Sequence, residues 1–212
     1  MNFTDSQLRL YLVTERGMLR GRDLTDVVMQ AVEGGVTMVQ LREKDISTLE
    51  FIELAQALKS VLMRMRVPFI INDRVDVALA VDADGVHIGQ SDMPYDIARR
   101  MLGSDKIIGL SVENFAEIEE ANRLDVDYIG VSPVFATPTK TDTAMPFGLD
   151  GLREAVRRSL HPSVAIGGIN KSNFRSVLST GTNGIAVVSA IMDSDNPREA
   201  SRLLKNELEF RV

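Results

Sequence analysis

Several polar groups in this chain follow short apolar runs directly, and their side chains suit anion or cation chemistry better than packing. In TMVQLREK (37–44), Gln40, Arg42, Glu43 and Lys44 bring an amide, a planar cation and a point cation together. A guanidinium grips two anionic oxygens in a fixed fork and an ammonium adds a compact charge, which is the donor set a phosphate or diphosphate needs. The same residues also fit a solvated turn in which Arg42 or Lys44 merely pairs with Glu43. In PFIINDR (68–74) and GVHIGQSD (85–92), Asn72, Asp73 and Asp92 set two carboxylates after consecutive apolar runs. Two carboxylates, completed by water and phosphate oxygens, suffice for Mg2+. Each is equally an ordinary helix cap or first-turn acid, and Asp76 fits a local pair with Arg74.

Further along, Ser111 ends an apolar run and offers its hydroxyl either to a ligand or to a helix cap. The loop 132–147 carries Thr137, Thr139 and Lys140, two hydroxyls and a cation that either close over an anion or face solvent. Lys140 lies beyond its apolar run, outside a desolvating barrel layer, so nothing marks it as a Schiff-base nucleophile. Gly167 and Gly168 follow one late run, and Val188 with Ser189 follow the next. Bare backbone amides there suit a phosphate, or the glycines simply make tight connections. His87 is either a packed barrel histidine or a functional one, and His161, before Pro162, reads as structural or solvent-facing. Two separate anion sites favour joining two phosphorylated molecules over rearranging one.

These groups need elements that bring them to one level. Apolar runs at 8–14, 36–41, 68–71, 85–88, 107–110, 128–131, 164–166 and 184–188 are short and apolar on both faces, as buried parallel strands are. Between them lie helical patterns at 24–33, 49–65, 75–80, 94–102, 114–124, 149–160, 173–179 and 198–208. Ser47 with Glu50 forms a capping-box pattern, and Pro94 and Pro197 suit first-turn positions. Eight alternating pairs in 212 residues predict one (β/α)8 barrel over 1–212, whose closure hides both sheet edges and whose strand ends gather the polar groups.

Composition narrows the chemistry. With no cysteine, disulfides, thiolate nucleophiles and thiolate metal sites are excluded, so an expected metal is a hard cation such as Mg2+. The net charge of −6, with no block of Lys or Arg, gives nucleic acid no general attraction. No leader-like start and no run approaching about 18 apolar residues is present, so a cytoplasmic protein without a membrane partner is expected.

Taken in order, YLVTER, GGVTMVQLREK, INDRVDVALAVDADGVHIGQSDMP, IIGLSVEN, DYIGVSPVFATPTKTD, VAIGGI and GIAVVSAI resemble the thiamine phosphate synthase family over nearly the whole chain. The resemblance implies a (β/α)8 enzyme that condenses 4-amino-2-methyl-5-hydroxymethylpyrimidine diphosphate with 4-methyl-5-(2-hydroxyethyl)thiazole phosphate, releasing pyrophosphate. It implies that Gln40, Arg42, Lys44, Asn72, Ser111 and Lys140 hold the pyrimidine diphosphate, and that Arg42, Lys44, Ser111 and Lys140 act in catalysis. Mg2+ falls to Asp73 and Asp92, and the thiazole phosphate to Thr137, Thr139, Gly168, Val188 and Ser189. Glu15 stands where the family usually has Asp, and Glu113 where histidine is frequent. The second departure weighs against the alternative of a thiazole tautomerase, whose proton transfer uses a histidine in that region. A non-catalytic sensor of phosphorylated metabolites is the other alternative.

Overall fold

The computed structural model describes residues 3–136 and 145–209. Its strands are β1 (Leu10–Val13), β2 (Met38–Leu41), β3 (Phe69–Asn72), β4 (Gly85–Ile88), β5 (Ile107–Val112), β6 (Tyr128–Val131), β7 (Ser163–Ala165) and β8 (Gly184–Val187). All pair in parallel in chain order, and β8 returns to β1, closing the expected (β/α)8 barrel. The helices are α1 (Leu24–Glu33), α2 (Thr48–Met65), α3 (Val75–Ala80), α4 (Tyr95–Leu102), α5 (Phe115–Ala121), α6 (Gly148–Arg158), α7 (Phe174–Leu178), α8 (Ser189–Met192) and α9 (Pro197–Glu209).

Strand side chains alternate in direction, and the alternation sorts them into two cores. Leu10, Leu12, Val39, Leu41, Phe69, Ile71, Val86 and Ile88 face outward against the helices, with Leu24, Val27, Val28 and Ala31 of α1 and Phe51, Leu58 and Leu62 of α2. Tyr11, Val13, Met38, Ile70, Ile107, Tyr128, Val164 and Ala186 fill the barrel, and Leu8 joins them from a 3-10 turn at Asp5–Leu8. Two apolar runs begin two residues before their strands because Leu8 and Val36 are themselves buried, Leu8 with the inner core and Val36 with the outer one.

Local signals set most boundaries. Asp23 caps α1 by accepting from Asp26 N (3.1 Å), and Ser47 caps α2 by accepting from Glu50 N (3.2 Å). The Glu50 carboxylate, however, goes to Arg16 at 2.7 Å, a long-range partner that competes with the box's return bond. Pro94 sits one place earlier than expected, as the extended cap of α4, whereas Pro197 does open α9.

The N-terminal ends of the strands share a device. Thr37, Asp84, Asp127 and Asn183 each precede an even-numbered strand, and each accepts from the neighbouring odd strand: Leu10 N (2.9 Å), Phe69 N (2.8 Å), Ile108 N (2.8 Å) and Ser163 N (2.8 Å). Four side chains thereby satisfy four main-chain donors that lie at the strand starts. His161 belongs to this end as expected, its Nε2 meeting Ala121 O at 2.9 Å.

Candidate active site

The inward parity that buries Met38 and Ile70 also turns Gln40 and Asn72, two residues further along β2 and β3, toward the barrel mouth. His87 on β4 and Ser111 on β5 have the same sense, since Asn72 registers with His87 and His87 with Gly109. They open into a cavity of about 630 Å³ that is also lined by Arg42, Lys44, Asp73, Asp92, Gly168, Val188 and Ser189. Every expected site residue within the described chain therefore borders one space. Thr137, Thr139 and Lys140 lie outside the described residues.

On the β2 side, Arg42 Nη1 meets Glu15 Oε2 at 3.3 Å and Lys44 Nζ meets Asp73 Oδ2 at 3.1 Å. Among the described residues, neither cation pairs with Glu43, which turns to Arg16 at 3.8 Å and keeps one buried oxygen without a hydrogen-bond partner. Burial pushes the Glu43 carboxyl above its ordinary range, against the pull of Arg16. Among the described residues each cation pairs with one carboxylate, Arg42 half-buried and Lys44 exposed, an arrangement an incoming anion can enter.

Asp73 follows β3 with φ of 60°, a left-handed turn that Asp tolerates, and its N–H closes onto His87 O at 2.8 Å. Asp92 Oδ2 accepts from Gly89 N at 2.8 Å, so that this carboxylate folds back over the end of β4. Burial, then contact with the Asp73 carboxyl, raises Asp92 above the usual aspartate range. Two acids held side by side are carboxylates of the kind a hard cation takes. Among the described residues no three acids or histidines converge, so a cation held by these two acids would need its other ligands from elsewhere. That division suits Mg2+, which keeps waters and phosphate oxygens beside one or two carboxylates. Asp76, by contrast, is structural: Arg74 grips it at 2.7 Å and holds it below its ordinary range.

Across the cavity, Gly167 and Gly168 both have positive φ, 105° and 65°. A Cβ on Gly168 would come within 2.8 Å of Phe135 Cβ and 2.9 Å of Ala136 O, so only glycine lets the β7 turn pass this close to the chain leaving β6. Val188 and Ser189 border the same side at the start of α8.

A model of the family described as thiamine monophosphate synthase matches residues 10–191, nearly the whole barrel. The chain belongs to that family. It is 50% identical to the thiamine-phosphate synthase of Clostridium novyi, covering 95% of this chain and 99% of the relative. It is 56% identical to that of Vibrio campbellii, covering 92% and 96%. Among solved structures, thiamine phosphate pyrophosphorylase from Pyrococcus furiosus superposes with a TM-score of 0.89 at 41% identity, covering 97% of both chains.

The family's barrel here has a polar floor that the residue-by-residue reading did not foresee. Gln40 Nε2 donates to Tyr11 Oη at 2.7 Å, Tyr11 Oη lies 2.9 Å from Tyr128 Oη, and Tyr128 Oη lies 3.0 Å from His87 Nδ1. His87 Nε2 meets Ser111 Oγ at 2.9 Å, so Ser111 is neither a helix cap nor an isolated contact. Room for this row comes from two strand glycines. A Cβ on Gly109 would fall 2.1 Å from Tyr128 Cζ, and one on Gly130 would fall 3.1 Å from His87 Cε1. Glu15, Gln90, Glu113 and Asn170 also reach the cavity. No helix among the described residues is long and apolar enough to cross a membrane.

Proposed function

We infer that the protein joins 4-amino-2-methyl-5-hydroxymethylpyrimidine diphosphate to 4-methyl-5-(2-hydroxyethyl)thiazole phosphate, giving thiamine phosphate and pyrophosphate. One observation carries this reading in a chain of this family: a single cavity is lined both by the cations and acids of β2 to β4 and by the glycine turn and Ser189 after β7 and β8. The pyrimidine methylene carbon loses its C–O bond, the electron pair leaving with pyrophosphate, and the thiazole nitrogen supplies the pair for the new C–N bond.

Arg42 and Lys44 hold the diphosphate and meet the negative charge that grows on it as the bond breaks, which favours the transition state over the ground state. Ser111 and Lys140 add donors to the same oxygens. Gln40 and Asn72 orient the pyrimidine. Gly168, Val188 and Ser189, with Thr137 and Thr139, seat the thiazole phosphate, so that carbon and nitrogen meet without a protein nucleophile. Asp73 and Asp92 are the residues that would hold Mg2+, which when bound neutralises charge on the leaving diphosphate.

The test is purified protein with both phosphorylated precursors and Mg2+, read by mass spectrometry. Thiamine phosphate and pyrophosphate in equal amounts are expected; an isomerised thiazole without coupling would overturn the reading.

A further inference from the structure

The row Gln40, Tyr11, Tyr128, His87 and Ser111 joins two residues of the pyrimidine site through three groups that need not touch substrate. Each phenol has one proton, a neutral imidazole has one, and each oxygen in the row also accepts. Burial raises both tyrosines above the ordinary phenol range, which keeps those protons in place. With each proton kept within the row, fixing one bond fixes all the others. With Gln40 Nε2 donating to Tyr11, the Tyr11 proton must go to Tyr128 and the Tyr128 proton to His87 Nδ1. His87 is then protonated at Nε2 and donates to Ser111 Oγ, so the Ser111 proton is left for the cavity. At the other end, the Gln40 amide oxygen is the group left for a ligand.

We propose that Tyr11 and Tyr128 are positioning residues that set the hydrogen-bond polarity of the pyrimidine pocket, presenting an acceptor at Gln40 and a donor at Ser111 together. This rests on the synthase reading, and it deepens it by naming the feature selected: an exocyclic amine on the pyrimidine. The amine donates to the Gln40 oxygen, and the same polarity aims the Ser111 hydroxyl as a donor toward the diphosphate end. A 4-oxo pyrimidine places a carbonyl against the Gln40 carbonyl. To accept it, the amide must flip, and the flip reverses every bond in the row and withdraws the Ser111 proton. Discrimination of amine from carbonyl and stabilisation of the leaving group are thus one property of a shared chain of protons.

Two measurements test this. The chain has only two histidines, so side-chain 15N correlation spectra of the free wild-type protein at pH about 8, where imidazole is neutral, resolve His87 once His161→Gln has assigned the other. Protonation of His87 at Nε2 is expected; protonation at Nδ1, or at both nitrogens, overturns the polarity whether or not the protein couples the precursors. Second, Tyr128→Phe cuts the row at its centre and frees the Gln40 amide to turn. In the folded variant, the ratio of kcat/KM for the amino substrate over its 4-oxo analogue should fall about ten-fold or more, and an unchanged ratio overturns the proposal. If Tyr128→Phe does not fold, the wild-type spectrum decides alone. Wild-type protein that forms no thiamine phosphate would sink the synthase reading and leave the His87 result standing by itself.

Discussion

Replacing Asp92 with asparagine should make the metal-free protein more stable and the enzyme far slower. Asp92 Oδ2 accepts one bond, from Gly89 N at 2.8 Å, which the asparagine oxygen can keep. What the change removes is a carboxylate facing Asp73, whose charge is answered among the described residues by Lys44 at 3.1 Å. Asp92 is raised first by burial and then by Asp73, so its ionised form disfavours the native state. The sign follows: a folded-state pKa above the unfolded one means a penalty present at neutral pH and relieved as pH falls through the folded value. Since both acids are part-exposed, solvent screening holds the gain to about 0.5–1 kcal/mol, or about 1–4 °C in Tm for a chain of this size. Thermal unfolding without Mg2+ at neutral pH should show that rise, and the gap from wild type should narrow as pH drops through the raised aspartate range. Pyrophosphate release should fall about 100-fold or more, the scale of losing one group that meets developing charge. A metal-free variant less stable than wild type would show that Asp92 is simply a cap. Unaltered Mg2+ dependence of its activity would remove Asp92 from the cation site.

Asp127→Ala takes the acceptor from Ile108 N and the partner from Arg99 (3.0 Å) at the barrel end away from the cavity, so chemical denaturation should show a loss of about 1–3 kcal/mol. The kcat of the folded variant should stay within about two-fold of wild type, because surviving structure at the mouth is untouched. Ser189→Asp places a charge at an exposed cavity residue and is gentler than any change at Gly168, whose φ of 65° and close neighbours make a side chain costly to the fold. Calorimetry with each substrate alone should show thiazole phosphate affinity down about ten-fold or more and diphosphate affinity little changed; equal losses would refute the two-sided cavity. Mg2+ and inorganic pyrophosphate should bind cooperatively, each raising the other's affinity by the same factor in titration calorimetry. Independent binding would mean that the Asp73 and Asp92 side does not touch the diphosphate side.

The order of eight short apolar runs, each followed by a helical pattern, made the barrel legible, because strands apolar on both faces need helices outside and a filled barrel inside. It also placed Gln40, Asn72, Asp73, Asp92 and Ser111 correctly at strand ends before any contact was known. The contacts themselves were not legible. Arg42 finds Glu15, beyond the end of the adjacent strand, rather than its neighbour Glu43, and Tyr11 meets Tyr128 across 117 residues of sequence, a contact that closure of the barrel creates. A trace of the floor was nevertheless present: Gly109 and Gly130 interrupt apolar strands where a larger residue would strengthen them. A strand glycine marks something passing close, and here it is the His87 and Tyr128 rings. The residues before alternate strands, Thr37, Asp84, Asp127 and Asn183, were a second trace, a repeat of polar acceptors at equivalent points of the sheet.

That repeat gives a reason for the placement of the site. At the strand starts, side-chain oxygens answer exposed main-chain donors, and Asp127 in addition has Arg99; charge and hydrogen bonding are satisfied within the chain. At the strand ends the opposite holds. Among the described residues, Glu43 keeps a buried oxygen without a hydrogen-bond partner, Asp92 is raised beside Asp73, and Arg42 and Lys44 each pair with one part-exposed carboxylate. On the synthase reading, anionic oxygens would answer Arg42 and Lys44, and a cation would answer the acids. A metal diphosphate brings both signs in one ligand. On that reading, the weaker pairing at one end of the barrel is what favours the ligand, and the well-paired opposite end keeps the fold intact.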